Sequence, residues 1–233
     1  MQKEFTFARK LLAWYKKNAC RFPWRETKDP YKILLAEILL RKTTRNQVKE
    51  IFEKLLERYP TLEKLAFAEV KELEGFIKPL GMQKKRARLL KKLAKCIVEN
   101  YGGSVPEDRH ELLKLPGVGV YSANAVLCLA YGKQVPLVDT NVIRVVERVF
   151  QIKSEKARAR TDPMVWSFVE KLIPKGRARE FNLALLDFAN LVCTSRLPRC
   201  SICPLREICL HSTKTKSQSQ SSAEKMQFSS DEQ

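Results

Sequence analysis

From Phe7 to Leu191 the apolar residues recur at three- and four-residue steps, broken at short intervals by proline and glycine, a pattern that leaves little to form except packed helices. Phe7, Leu11, Leu12 and Trp14 share one face, Tyr31 to Leu40 predicts a mostly apolar helix, and Val48, Ile51, Phe52 and Leu55 predict the next. Further helices are predicted over 87–98, 122–129, 141–150, 165–173 and 179–191. Pro30, Pro60, Pro79 with Gly81, Pro116 with Gly117, Pro136, Pro163 and Pro174 with Gly176 fall between these stretches as short links. No run alternates strictly enough to argue for a hairpin of strands, so the expected fold class is all-α. A chain of 233 residues suffices for one large or two small domains with a real core. From about Ser212 the composition turns to Ser, Lys, Gln and Thr, too polar to bury itself, and a disordered tail is expected over 212–233.

Near the end of the helical region Cys193, Cys200, Cys203 and Cys209 are spaced C-x6-C-x2-C-x5-C. Four thiolates so gathered can wrap one soft metal centre. Zinc usually takes Cys-x2-Cys pairs from two separated knuckles, whereas this string has one pair and two solitary cysteines, with His211 the only histidine nearby. The spacing favours a [4Fe-4S] cluster, with zinc and paired disulfides as the competing readings. Cys20, Cys96 and Cys128 lie in apolar helical stretches and read as packed thiols rather than ligands. No leader precedes the first helix and no long apolar run follows, so a soluble, intracellular protein is expected, with no membrane contact.

Lys plus Arg number 44 against 26 for Asp plus Glu, a formal charge of +18. A surplus that large points to a polyanionic partner, nucleic acid being the commonest. Leu115-Pro116-Gly117-Val118-Gly119 lies between two helical segments, where glycine permits a tight turn and close approach of backbone N–H groups to a phosphate. An ordinary helix-to-helix turn is the bland alternative. Farther on, Val138-Asp139-Thr140-Asn141 brings a carboxylate to the start of a helix, either as a functional acid or simply as its N-cap.

These two motifs and the four cysteines occur in this order in the helix-hairpin-helix DNA glycosylases of the endonuclease III and MutY type, which residues 5–210 resemble. The resemblance implies a six-helix barrel with the hairpin over 22–135 and an iron-sulfur domain from 1–21 and 136–211. Tyr121 and Asp139 are then expected to face each other across a cleft between the two. It further implies double-stranded DNA with mismatched or damaged bases as the partner, no small-molecule substrate, a monomer, and a nucleoid location in a prokaryote. Leu115, Gly117, Val118 and Gly119 are expected to hold a phosphate.

Strand-cutting members of the family carry a lysine just inside the second hairpin helix, whose amine attacks the sugar. Tyr121 stands there, so the resemblance implies base removal with little or no lyase activity. The Phe22-Pro23-Trp24-Arg25 and Asp29-Pro30-Tyr31 segments, followed by Glu37, look MutY-like, while the 24 residues after Cys209 are too few and polar for a domain that reads 8-oxoguanine. The likeness is best to the short Mig-type thymine-DNA mismatch glycosylases, which share the tyrosine and a Glu-Ile-Leu-Leu-Arg segment, here Glu37 to Arg41. Thymine or uracil opposite guanine is the expected target. Asp139 is expected to stabilise the developing sugar cation, Tyr121 to shape the base pocket, and Glu37 to hold or relay a proton or serve as a structural glutamate. Arg41 and Lys42 are expected to enter the gap left by the flipped base, contact the orphaned guanine, or bind phosphate. Adenine or oxidised-pyrimidine removal, or DNA binding without catalysis, are the alternatives.

Overall fold

The structure, a computed structural model, describes residues 2–212. The tail expected from 212 lies outside these residues except for Ser212, which is buried. The helices are α1 (Gln2–Asn18), α2 (Pro30–Leu39), α3 (Arg45–Arg58), α4 (Leu62–Ala66), α5 (Val70–Ile77), α6 (Gln83–Tyr101), α7 (Arg109–Lys114), α8 (Val120–Leu129), α9 (Thr140–Phe150), α10 (Pro163–Leu172) and α11 (Ala178–Leu191). No strand occurs among the described residues, as the helical periodicity requires. The chain divides into two compact units, Cys20–Leu137 and Met1–Ala19 with Val138–Gln233.

The Cys20–Leu137 unit is organised by two apolar helices. Asp29 starts α2, its carboxylate accepting from the N–H groups of Tyr31 at 2.9 Å and Lys32 at 3.4 Å, and Pro30 supplies the preset first turn. The rest of α2 buries Tyr31, Ile33, Leu34, Leu35, Ala36, Ile38 and Leu39. A helix apolar on nearly every side has to be enclosed. It packs on α8, which buries Ser122 through Leu129, and on α3 and α6. Each fully buried Leu or Ile contributes about 1.5–3 kcal/mol, so this helix pair contributes substantially to the unit's stability. Trp24, stacked on Phe22 at 4.9 Å and edge-on to Phe52 at 5.4 Å, closes one end of this core.

The other unit joins the two ends of the described chain. Phe7 of α1 meets Phe150 of α9 at 5.2 Å and Phe181 of α11 at 6.3 Å, both edge-on, and Trp14 stands edge-on to Phe188 at 5.6 Å. In α9 the valines at 142, 145, 146 and 149 face this core. Arg144 and Arg148, one turn apart on the same helix, reach instead to the loop that carries the cysteines.

Candidate functional site

In the Cys20–Leu137 unit, Leu115 ends α7 and Gly119 starts α8, with a tight turn between them. The Val118 N–H donates to the Leu115 carbonyl at 3.0 Å, with Pro116 second and Gly117 third at φ +76°, the signature of a type II turn. The Leu115 and Val118 side chains are buried anchors, so what the turn offers outward is backbone. Gly117 is fixed twice over. Its φ is left-handed, and a Cβ there would stand 2.7 Å from Leu89 Cδ1 of α6. Gly119 differs, with φ −105° and nothing within 4 Å of a Cβ, so it is not needed for the turn and instead leaves the space beside α8 open. No side chain caps the first turn of α8, in which Tyr121 stands half-exposed.

The turn is joined to the end of α2. The Arg41 guanidinium donates to the Gly117 carbonyl and, at 3.3 Å, to the Ser122 hydroxyl. Burial pulls the Arg41 pKa down, and the charge of Glu37, one turn back, opposes that shift. Glu37 is half-buried, while every other residue from Ile33 to Leu39 is buried. Glu37, Arg41, Gly117 and Ser122 thus share one corner of this unit, and Lys42 is exposed beside them.

In the other unit Asp139 is the N-cap of α9. Its Oδ1 accepts from the N–H groups of Asn141 at 2.9 Å and Val142 at 2.7 Å, and its Oδ2 accepts from the Asn141 side-chain amide at 2.8 Å. Capping fixes the carboxylate in one orientation without burying it. The bonding continues along α9. The Asn141 carbonyl oxygen accepts from Arg144 at 2.9 Å, and Arg144 also donates to the backbone carbonyls of Cys193 at 2.9 Å and Ala189 at 2.8 Å. Asp139 is therefore tied through two side chains to the first cysteine of the string.

Cys193, Cys200, Cys203 and Cys209 all line one small cavity of about 20 Å³, together with Arg148, Arg199, Arg206 and His211. Arg148 donates to the Thr194 carbonyl at 2.6 Å and to Cys193 Sγ at 3.5 Å, and the Cys209 thiol donates to the Arg148 carbonyl at 3.5 Å. Burial pushes the Cys193 thiol above its usual pKa and Cys203 up to about 11, with Cys193, Cys209 and Cys200 adding to the rise at Cys203. Among the described residues no group of three or more His, Cys, Asp or Glu side chains is placed to hold a metal ion as it stands. Cys128 is buried, and Cys20 and Cys96 are half-buried. Sequence reasoning missed Arg86, Arg144 and Arg148, three arginines whose hydrogen bonds hold backbone carbonyls around these sites; no spacing in the sequence marks them.

A glycine-turned helical hairpin in one unit, and a capped aspartate followed by a cysteine-lined cavity in the other, define a helix-hairpin-helix DNA-repair protein. The chain belongs to the HhH-GPD superfamily of base excision DNA repair proteins, the family match spanning residues 35–171. It is 48% identical over 198 residues to the thymine/uracil-DNA glycosylase of Pyrobaculum aerophilum, covering 84% of this chain and 86% of that one. A solved thermostable thymine-DNA glycosylase superposes with a TM-score of 0.87 at 39% identity, over 91% of this chain and 98% of that chain. A trapped covalent complex of endonuclease III with DNA superposes with a TM-score of 0.78 at 29% identity, over 90% of this chain and 95% of the other. No helix among the described residues is long and apolar enough to cross a membrane.

Proposed function

We propose that this protein is a monofunctional DNA glycosylase that removes thymine or uracil from G·T and G·U mismatches in double-stranded DNA. The carrying observation is the Asp139 carboxylate, fixed by three hydrogen bonds at the head of α9 in a chain similar to thymine and uracil glycosylases. The reaction breaks the C1′–N1 bond, the base leaving with the electron pair while the sugar becomes cation-like. Water then adds to C1′, and a proton reaches the departing base. A carboxylate beside C1′ stabilises the charge that develops there, and one already oriented needs no reorganisation as the bond breaks. We assign that role to Asp139, which also orients the attacking water. Tyr121 contacts the sugar or base and, having no amine, forms no Schiff base, so the strand stays intact until alkali is added. Glu37 is assigned to the leaving base or its water.

DNA is held by its backbone. The N–H groups around Gly117 and Gly119 face a phosphate, the open space beside Gly119 lets it approach, and the positive charge of +18 attracts the duplex. Extruding the nucleotide costs a few kcal/mol and is cheapest at a mismatch, which contributes to selectivity. Lys42 is assigned to the DNA at the vacated position. The protein acts as a monomer.

Cys193, Cys200, Cys203 and Cys209 fit a [4Fe-4S] cluster as its ligands. They line one cavity, and arginines at 148, 199 and 206 stand around a centre that four thiolates make anionic. When bound, the cluster supplies a cross-link for the loop after α11 rather than electrons, since base hydrolysis transfers none. Iron and acid-labile sulfide in equal amounts support this assignment; stoichiometric zinc overturns it.

The test of the activity is base release from duplexes carrying G·T, G·U, A·8-oxoguanine or thymine glycol, with and without alkali. Alkali-dependent cleavage at G·T and G·U, lost in Asp139→Asn while DNA binding persists, is the expected result. Cleavage confined to the other two duplexes assigns a different base, and none at all leaves a DNA-binding protein without catalysis.

A further inference from the structure

Arg86 of α6 is only 5% exposed and forms no part of the assigned machinery. Its Nη1 donates to the carbonyls of Ile38 at 2.6 Å and Leu39 at 2.9 Å, and its Nη2 donates to the Arg41 carbonyl at 3.0 Å and the Thr43 hydroxyl at 3.1 Å. These carbonyls belong to the last turn of α2 and its exit, where helical partners run out and the dipole is negative. They satisfy the fork, but its Nε is buried without a hydrogen bond. A guanidinium held this way does more than cap a helix. Its contacts fall on both sides of Lys42, which has a left-handed backbone at φ +53°. For a residue with a Cβ that conformation costs about 1–2 kcal/mol, and it persists only where the surroundings enforce it.

The same helix sets the second DNA-facing turn. Leu89, three residues after Arg86, fills the space where a Cβ on Gly117 would lie, and Arg41 reaches from the clamped segment to the Gly117 carbonyl. With its guanidinium engaged by Gly117 and Ser122, Arg41 braces the hairpin, and Lys42 is the exposed cation the strained turn presents.

We infer that Arg86 is a positioning residue for DNA recognition, clamping the turn on both sides of Lys42 so that Lys42 meets the duplex in one fixed direction. The inference rests on the DNA glycosylase reading and assigns the strain at Lys42 to binding. It is tested with Arg86→Lys, which keeps the charge and loses the fork, with Lys42→Ala, and with the double variant. Affinity for a G·U duplex is measured across a range of salt concentrations for all three and for the wild-type protein.

Lys42→Ala should lower the slope of log K against log salt by about 1, as loss of one DNA-contacting cation does. Arg86→Lys should lower it by a similar amount although residue 86 touches no DNA, and the double variant should bind no more weakly than Lys42→Ala. A wild-type slope in Arg86→Lys, or losses that multiply in the double variant, would overturn the inference. If Arg86→Lys does not fold, Thr43→Val removes the hydroxyl that accepts from Arg86 and donates to the Arg41 carbonyl, and should shift the slope partway in the same direction; an unchanged slope there is equally fatal. Failure of the wild-type protein to bind the duplex would instead strike the underlying reading.

Discussion

Replacing Arg144 by methionine removes three hydrogen bonds, one to the Ala189 carbonyl of α11, one to the Cys193 carbonyl beyond it, and one to the Asn141 amide that in turn holds Asp139. A hydrogen bond to a charged group contributes about 1.5–3 kcal/mol, and since Arg144 is half-exposed we take about 1 kcal/mol for each, about 3 kcal/mol in all. For a chain of this length that lowers the melting temperature by about 6–12 °C. The catalytic consequence is separate. Without Arg144 the Asn141 carboxamide can turn, and Oδ2 of Asp139 loses its donor while Oδ1 keeps its two backbone N–H groups. A misplacement of 1 Å in a reacting group costs about 100-fold, so a partial loosening should slow base release by about 10- to 100-fold. The assay is single-turnover release from a G·U duplex at saturating enzyme, well below the variant's melting temperature. Lysine at 144 can reach only one of the three acceptors and should restore some stability but little rate. A wild-type rate in the methionine variant, with the expected fall in melting temperature, would refute the link from Arg144 to Asp139.

Other substitutions separate the remaining roles. Gly117→Ala combines a left-handed backbone with a clash against Leu89 and should destabilise the protein by about 2–3 kcal/mol in denaturant melts, whereas Gly119→Ala should leave stability within about 0.5 kcal/mol and weaken only duplex binding. Tyr121→Lys should introduce an amine able to trap the sugar, seen as a borohydride-stabilised protein–DNA adduct and as strand cleavage without alkali. The Asp162 carboxyl is held below its usual pKa chiefly by the Ser154 hydroxyl at 2.6 Å and also by the Met164 N–H at 3.0 Å. Because the folded value is the lower one, this stabilisation is present above about pH 4 and is lost as pH falls through the folded value. Ser154→Ala should therefore melt at a lower temperature than wild type near neutrality, with the gap closing in acid.

Where apolar period was long and unbroken, sequence reading and structure agree closely. The stretch from Tyr31 to Leu40 is α2, the 141–150 segment is α9, and the 179–191 segment is α11. The short helices α4 and α5 went unread because five to eight residues span too few turns for a period to show. At the site, Pro116-Gly117 announced its turn, since only glycine suits both the φ and the packing there. Asp139 was legible as a cap, and the structure adds the Asn141 and Arg144 bonds that no spacing rule encodes. For Glu37 a helical period shows which neighbours are apolar, not which way the carboxylate itself points. Arg86 was invisible for a related reason. In a stretch as basic as Lys84-Lys85-Arg86-Ala87-Arg88, nothing local distinguishes the cation that turns inward.

The pairing of α1 with α11 also governs the order in which the chain can fold during synthesis. α1 leaves the ribosome before the other described helices, yet the Phe181 and Phe188 rings that its own aromatics meet belong to α11, the last of them. Once Leu137 has been made, Cys20–Leu137 has every residue it needs to close its own core, while Phe7 and Trp14 still lack Phe181 and Phe188. The nascent chain thus exposes the apolar face of α1 until α11 emerges, and that face is where a chaperone or a premature self-association would act.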